Sequence, residues 1–255
     1  MAKIAIFDSG LGSLSVIRPL QKTTKSEIIY FADQINFPYG KKTKSQLFSI
    51  ITKTIDLLKN KFSPDLIVIG SNTPTLLLDE IFTSKIIGVL PPLKKAAKKS
   101  KTNHIAILAT QSVTKSNELH HYIIKNLQSK KTIVKKINAS PLVDLVESGK
   151  FITNKKLCKK IIKNTLSDII LQNDIDVAAL SSTHLPFLSS LLHEEFPFVD
   201  FLDSAQDIAS QVVRLTKSKS SNKNSLKIFS SGDIKHFQKQ LQEIGIKNKV
   251  NFLSL

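Results

Sequence analysis

Residues 65–77 read DLIVIGSNTPTLL, and residues 176–188 read DVAALSSTHLPFL. In both, an aspartate opens a short apolar run and a serine follows it by six positions, Ser71 in the first copy and Ser182 in the second. Asn72-Thr73 stands after one serine and Thr183-His184 after the other, and a proline with further apolar residues completes each copy. A short run without polar alternation is the mark of a strand covered on both faces. The repeated stretch therefore points to a parallel sheet in an α/β fold.

The flanking sequence repeats the scheme. KIAIF (3–7), EIIYFA (27–32) and KIIGVL (85–90) are further apolar runs, separated by helix-length segments at 14–22, 43–61 and 73–82. HIAILA (104–109), IVKKIN (133–138) and FVDFLD (198–203) follow in the second half. Strands alternating with helices predict a mostly parallel sheet with helices on both faces. The proline pair that opens LPPLKKAAKKSKT (90–102) marks a domain boundary. The first domain is expected over 1–92 and the second over 93–205. The segment 206–255 carries a lysine- and serine-rich loop (216–227) and the apolar IFSSG, and is expected to return to the first domain.

The halves also correspond in detail. IAIFDS at 4–9 matches IAILAT at 105–110, an offset of 101, and the two serine motifs are offset by 111. Two similar Rossmann-like units follow. Open parallel sheets bind ligands beyond the carboxyl ends of their strands. Asp8, Ser9, Ser71, Asn72, Thr73, Thr110, Ser182, Thr183 and His184 all fall at such ends. If the units face each other, these groups line one cleft, and the duplicated motif supplies its two walls.

Composition narrows the function classes. The 255 residues carry 37 basic and 20 acidic side chains, a net charge of +17. Only Arg18 and Arg214 are arginine, and the lysines are spread over helix-like stretches and loops. Base readout and bidentate phosphate contacts favour arginine, so a nucleic-acid partner is not expected. No apolar run approaches the roughly 20 residues needed to span a bilayer, and the start MAKIAIFDSG lacks a signal-peptide pattern. Cys158 is the single cysteine, which excludes an intrachain disulfide and a multi-cysteine metal site. A cytoplasmic protein is expected.

Seven segments, in order along nearly the whole chain, resemble the cofactor-independent glutamate racemases of the aspartate/glutamate racemase superfamily. IAIFDSGLGSLSVIRPL resembles the family's opening Asp-Ser-Gly stretch, and YFADQINFPYG its Pro-Tyr-Gly segment. PLVDLVESG is similar to the acidic stretch of the second domain, LDSAQDIA to the late aspartate-serine stretch, and FSSGDIKHF to the C-terminal segment. SNTPT and SSTHLP resemble the two catalytic loops. The resemblance implies interconversion of L- and D-glutamate to supply D-glutamate for peptidoglycan synthesis. It implies a base on one face of the α-carbon and an acid on the other, with no pyridoxal phosphate, no other cofactor and no metal. It also leaves room for a homodimer.

On that resemblance Ser71 and Ser182 occupy the proton-transfer positions, Asp8 and His184 assist them, and Glu147 belongs to the second wall. Asp8, Ser9, Tyr39, Gly40, Asn72, Thr73, Thr183 and His184 would surround the substrate. The family has cysteine at both loop starts, whereas this chain has serine. A thiol has a reference pKa of about 8.5 that local charge can lower, while a serine hydroxyl is a far weaker acid. Cys158 matches neither loop. Ser13, Pro74, Leu76, Val113 and Leu119 are further departures from the family's pattern.

Each residue also has a plainer reading. Asp8 and Ser9 could cap a helix, Tyr39-Gly40 could be a turn after Pro38, and Asn72, Thr73 and Thr183 could be ordinary helix starts. A glutamate before Ser148-Gly149 is usually a surface residue. His120, His121 and His193 read as helix-surface residues rather than metal ligands. Two other functions fit parts of the pattern. One is a racemase scaffold that binds an acidic amino acid without turnover. The other is a hydrolase using Ser71 or Ser182 with His184 and Asp8, although the strained G-x-S-x-G elbow is absent.

Overall fold

Each apolar run forms a strand, and every ladder between named strands is parallel. The structure, a computed structural model, describes residues 1–127, 131–216 and 223–255. The strands are β1 (Lys3–Asp8), β2 (Glu27–Ala32), β3 (Leu66–Ile69), β4 (Ile86–Gly88) and β5 (His104–Ala109). They continue with β6 (Ile133–Asn138), β7 (Val177–Ser181), β8 (Asp200–Leu202), β9 (Ser225–Ser230) and β10 (Val250–Phe252). The helices are α1 (Leu14–Thr23), α2 (Lys44–Phe62), α3 (Asn72–Leu77), α4 (Leu93–Lys99), α5 (Gln111–Thr114) and α6 (Asn117–Leu127). After them come α7 (Ser140–Glu147), α8 (Lys150–Thr153), α9 (Lys155–Gln172), α10 (Ser189–Glu195), α11 (Ala205–Thr216) and α12 (Ile234–Glu243).

The chain divides into two units, one of Met1–Val89 with Ala205–Leu255 and one of Leu90–Ser204. The proline pair at 91–92 thus lies inside the second unit, where Pro92 leads directly into α4. Of the lysine- and serine-rich stretch at 216–227, residues 217–222 lie outside the described residues, Thr216 ends α11 and Ser225 begins β9.

The first unit holds a six-stranded sheet in the order β10-β9-β2-β1-β3-β4, the second a four-stranded sheet in the order β6-β5-β7-β8. Their shared four-strand core keeps its register. Ile4 stands opposite Leu66 in the first sheet, and Ile105 stands opposite Val177 in the second. These are the residues that offsets of 101 and 111 relate. Ser71 and Ser182, five positions beyond Leu66 and Val177, therefore leave equivalent strands at equivalent points. The C-terminal segment extends only the first sheet, with β9 pairing along β2 and β10 along β9.

Helix packing follows from the sequence. In α9 the stripe Cys158, Ile162, Leu166 and Ile170 recurs every four residues and is fully buried, the spacing that puts side chains on one helical face. Each such aliphatic side chain gains about 1.5–3 kcal/mol on burial. Thr43 and Gln46 close a capping box at the start of α2, and α1 packs on α11. Proline at position 74 falls in the first turn of α3, where its missing N–H is not needed.

The aspartates that open the duplicated motif are fold elements. Asp65 accepts a hydrogen bond from the Lys3 backbone N–H at 2.9 Å, tying the amino end of β3 to that of β1. Asp176 accepts from the Ser100 hydroxyl at 2.6 Å and from the Lys101 and Thr102 N–H groups at 2.6 and 3.1 Å. The aspartates hold one end of each strand, and the serines stand at the other.

Candidate active site

In the first unit the site residues gather at the carboxyl ends of β1, β2 and β3. Asp8 ends β1 and is fully buried, and its Oδ1 accepts the Ser9 N–H at 2.7 Å. These two do not cap α1, whose N-cap is Ser13 without a side-chain bond. Ser71 is half-buried at the start of α3 and its side chain makes no cap bond. Thr73 is buried beside it.

Asn72 is 2% exposed, and its Nδ2 donates to the Val89 carbonyl at 3.0 Å. That bond fixes the amide and leaves Oδ1 buried without a partner among the described residues. A buried acceptor left unmade costs about 1–3 kcal/mol, so this oxygen is suited to a donor brought by a ligand.

Gly70 sets how closely this loop passes the start of α1. A Cβ at position 70 would lie 2.1 Å from the Ser13 hydroxyl and 2.9 Å from Ser13 Cβ. Beside it, Tyr39 is buried and Gly40 half-buried, on a short 3₁₀ turn after β2. The Tyr39 phenol donates to Asp33 Oδ2 at 3.0 Å. Burial, then the charges of Asp33 and Asp8, push the Tyr39 pKa well up, so the phenol stays protonated as a donor.

Asp33 is a buried acid that the sequence reading did not single out. It directly follows β2, its N–H donates to the Asp8 carbonyl at 2.8 Å, and it is fully buried. Burial pushes its pKa up, opposed by hydrogen bonds from Asn36, Tyr39 and Ser231 and by the charge of Lys42. The signal for it was present in YFADQINFPYG: an aspartate directly after an apolar strand, the same placement as Asp8.

In the second unit Ser182, Thr183 and His184 follow β7 and are all buried. The His184 backbone N–H donates to the Ser182 hydroxyl at 3.4 Å. Glu147, the last residue of α7, places Oε2 2.9 Å from His184 Nε2, with the two side chains 13% and 6% exposed. With the carboxylate accepting from Nε2–H, the pair fixes the imidazole's orientation, so this glutamate is not a surface residue. The structure thus brings Ser182, Thr183, His184 and Glu147 together in one unit, and Asp8, Ser9, Tyr39, Gly40, Ser71, Asn72 and Thr73 in the other.

His120, His121 and His193 are exposed. Cys158 is buried within α9, and burial raises its thiol pKa. Val113 and Leu119 are fully buried apolar residues of the second unit. Among the described residues no group of three or more His, Cys, Asp or Glu side chains is placed to hold a metal ion. No helix among them is long and apolar enough to cross a membrane.

Comparison with known proteins places this geometry among relatives. A glutamate racemase from Lactococcus lactis is 32% identical over 197 residues, 75% of this chain and 70% of the relative. One from Sulfurihydrogenibium is 32% identical over 82% of this chain and 81% of the relative. One from Herpetosiphon aurantiacus is 30% identical over 96% and 98%. No family model matches the chain.

Among solved structures, Escherichia coli glutamate racemase, in complex with L-glutamate and the activator UDP-MurNAc-Ala, superposes with a TM-score of 0.85. It is 22% identical over 99% of this chain and 98% of that one. A Bacillus anthracis glutamate racemase isoform gives a TM-score of 0.85 at 23% identity, covering 100% and 98%. At these identities the structural likeness establishes the fold.

Proposed function

Because the chain belongs to the glutamate racemase family, we propose that it interconverts L- and D-glutamate, the D-isomer serving peptidoglycan synthesis. One observation carries the reading of the site. Ser71 and Ser182 leave equivalent strands of two matching sheets at equivalent points, each among buried polar groups. Two equivalent walls are what inversion at a carbon centre requires. The relatives' shared activity favours turnover over a scaffold that only binds an acidic amino acid.

In this mechanism the two serine loops serve opposite faces of one substrate carbon. A base on one wall takes the α-proton; the electron pair of the broken C–H bond passes into the adjacent carboxylate as an enediolate. An acid on the other wall then delivers a proton to the opposite face of the same carbon. Asp8 belongs to the Ser71 wall, and His184, oriented by Glu147, to the Ser182 wall. The Asn72 Oδ1 acceptor suits the substrate's ammonium, and the hydroxyls of Ser9, Thr73 and Thr183 suit its carboxylates.

Serine at both proton-transfer positions sets the expected rate. A hydroxyl is hardly ionised at neutral pH, so proton removal from carbon is slow, and slow turnover follows. The test is solvent-deuterium exchange at the α-carbon of L- and D-glutamate, which registers removal from either face before racemisation is complete. Slow exchange into both enantiomers that is lost in a Ser71→Ala, Ser182→Ala double variant supports the reading. Exchange undiminished in that variant overturns the assignment of the two serines.

A further inference from the structure

The carboxylate of Asp33 is held by three donors of the protein. Asn36 Nδ2 lies 2.9 Å from both of its oxygens, the Tyr39 phenol donates to Oδ2 at 3.0 Å, and the Ser231 hydroxyl donates to Oδ1 at 3.3 Å. An ionised carboxylate offers about four acceptor positions, and three donors engage them, the Asn36 amide straddling both oxygens. Asp33 is thus engaged by the protein's own donors, and it adjoins Asp8 through the 2.8 Å backbone bond. Its partners lie on the segment that carries Tyr39-Gly40 and at the end of β9, close to 200 positions further along the chain.

Ser231 ties the same segment a second time, since its hydroxyl accepts the Ile35 N–H at 3.2 Å. Next to it the Ser230 hydroxyl donates to Gln34 Oε1 at 2.8 Å, and the Ser231 N–H donates to the Ala32 carbonyl at 3.1 Å. Gly232 lets Gln34 lie close, because a Cβ at position 232 would meet Gln34 Cβ and Oε1 at 2.7 Å. The last residue of β9 and the two after it thus face three of the residues that follow β2. The contacts lie within one unit and involve neither serine of the duplicated motif.

We propose that Asp33 is a positioning residue for the ligand, and that the C-terminal strand acts on the site through it by fixing residues 34–41 in the conformation that sets Tyr39-Gly40 beside Asp8. The inference rests on the glutamate reading of the site, and goes beyond it by giving the C-terminal segment a part in affinity without contact. A tie that served stability alone would lower the melting temperature of a variant and leave the folded protein's affinity unchanged.

The experiment compares native protein with Ser231→Ala, Ser231→Thr and Asp33→Asn, each as the full chain. It reads amide hydrogen exchange over residues 34–42 and the Kd for L- and D-glutamate by calorimetry. Hydrogen bonds to charged groups are worth enough for an effect of about tenfold. Ser231→Ala should accelerate exchange over 34–42 and weaken glutamate about tenfold, Ser231→Thr should restore both, and Asp33→Asn should weaken it at least as much. Unchanged exchange over 34–42 in Ser231→Ala overturns the proposal, as does faster exchange with native affinity. If native protein binds neither enantiomer, the glutamate reading fails. The exchange comparison then decides alone: acceleration in Ser231→Ala, reversed in Ser231→Thr, upholds Asp33's hold on the segment, and no acceleration overturns it.

Discussion

Replacing Ser71 and Ser182 by cysteine isolates the chemistry of the two walls from the scaffold around them. The structural cost is small. Ser71 is half-buried, and the Ser182 hydroxyl accepts a long bond, at 3.4 Å, from the His184 N–H. Each swap of oxygen for sulfur should cost under about 1.5 kcal/mol, as size-conserving changes do. The chemical change is large. A thiol titrates near 8.5 and a serine hydroxyl far above it, so the ionised base gains several powers of ten in population. Only part of that reaches the rate, and a positioned general base or acid typically contributes about 10² to 10⁴-fold.

Either single variant equips one face, so it should accelerate α-proton exchange in one enantiomer without matching racemisation. The double variant should racemise at least about 10²-fold faster than native protein, read by polarimetry alongside NMR of the α-proton. A double variant that keeps the native melting temperature and glutamate affinity, yet exchanges no faster than native, would refute the placement of these serines at the reacting carbon.

Three further outcomes follow from the geometry. Gly70→Ala drives a methyl to 2.1 Å from the Ser13 hydroxyl and should cost about 1–3 kcal/mol by overpacking. Ser13→Gly added to it should recover most of that loss in thermal melts, whereas Ser13→Ala, which keeps the Cβ, should recover less. Asp176 is pushed up by partial burial, but hydrogen bonds from Ser100, Lys101 and Thr102 outweigh that and hold its pKa below 3.8. Its contribution is therefore present above pH 4 and lost as pH falls through the lowered folded value; Asp176→Asn should lower stability by about 1–2 kcal/mol at pH 7 and by progressively less in acid, checked by urea melts across pH. Glu147→Gln keeps an acceptor 2.9 Å from His184 but removes its charge. In the double-cysteine background it should slow exchange about tenfold or more, and exchange unchanged in both enantiomers would remove the pair from the mechanism.

Most strands were legible because their core is a short apolar run of the kind a doubly covered sheet makes. β10 was not, since Val250–Phe252 is three residues long and exposed at two of them. The proline pair at 91–92 signalled a boundary, but α4 begins directly after it, and Leu93, Ala96 and Ala97, at helical spacing, are buried. The strand-end placement of polar groups was legible where it repeats along the chain, as with Ser71 and Ser182. Glu147 looked like a surface residue because its partner, His184, lies 37 positions away. Asp33 was missed for the same reason, since what makes it a buried hub is Ser231, contributed by a strand that joins the sheet from the far end of the chain. Local patterns specify strands and helix stripes, whereas which polar groups meet depends on the order of strands in the sheet.

The central claim is that the carboxyl-end loops of both units act on one glutamate molecule. An amide NMR titration of ¹⁵N-labelled native protein with L-glutamate, and separately with D-glutamate, tests it most directly. The account predicts that Ser9, Asn72 and Thr73 in one unit and Thr183 and His184 in the other shift together along a single binding curve. Shifts confined to one unit, or none at millimolar glutamate, would contradict it.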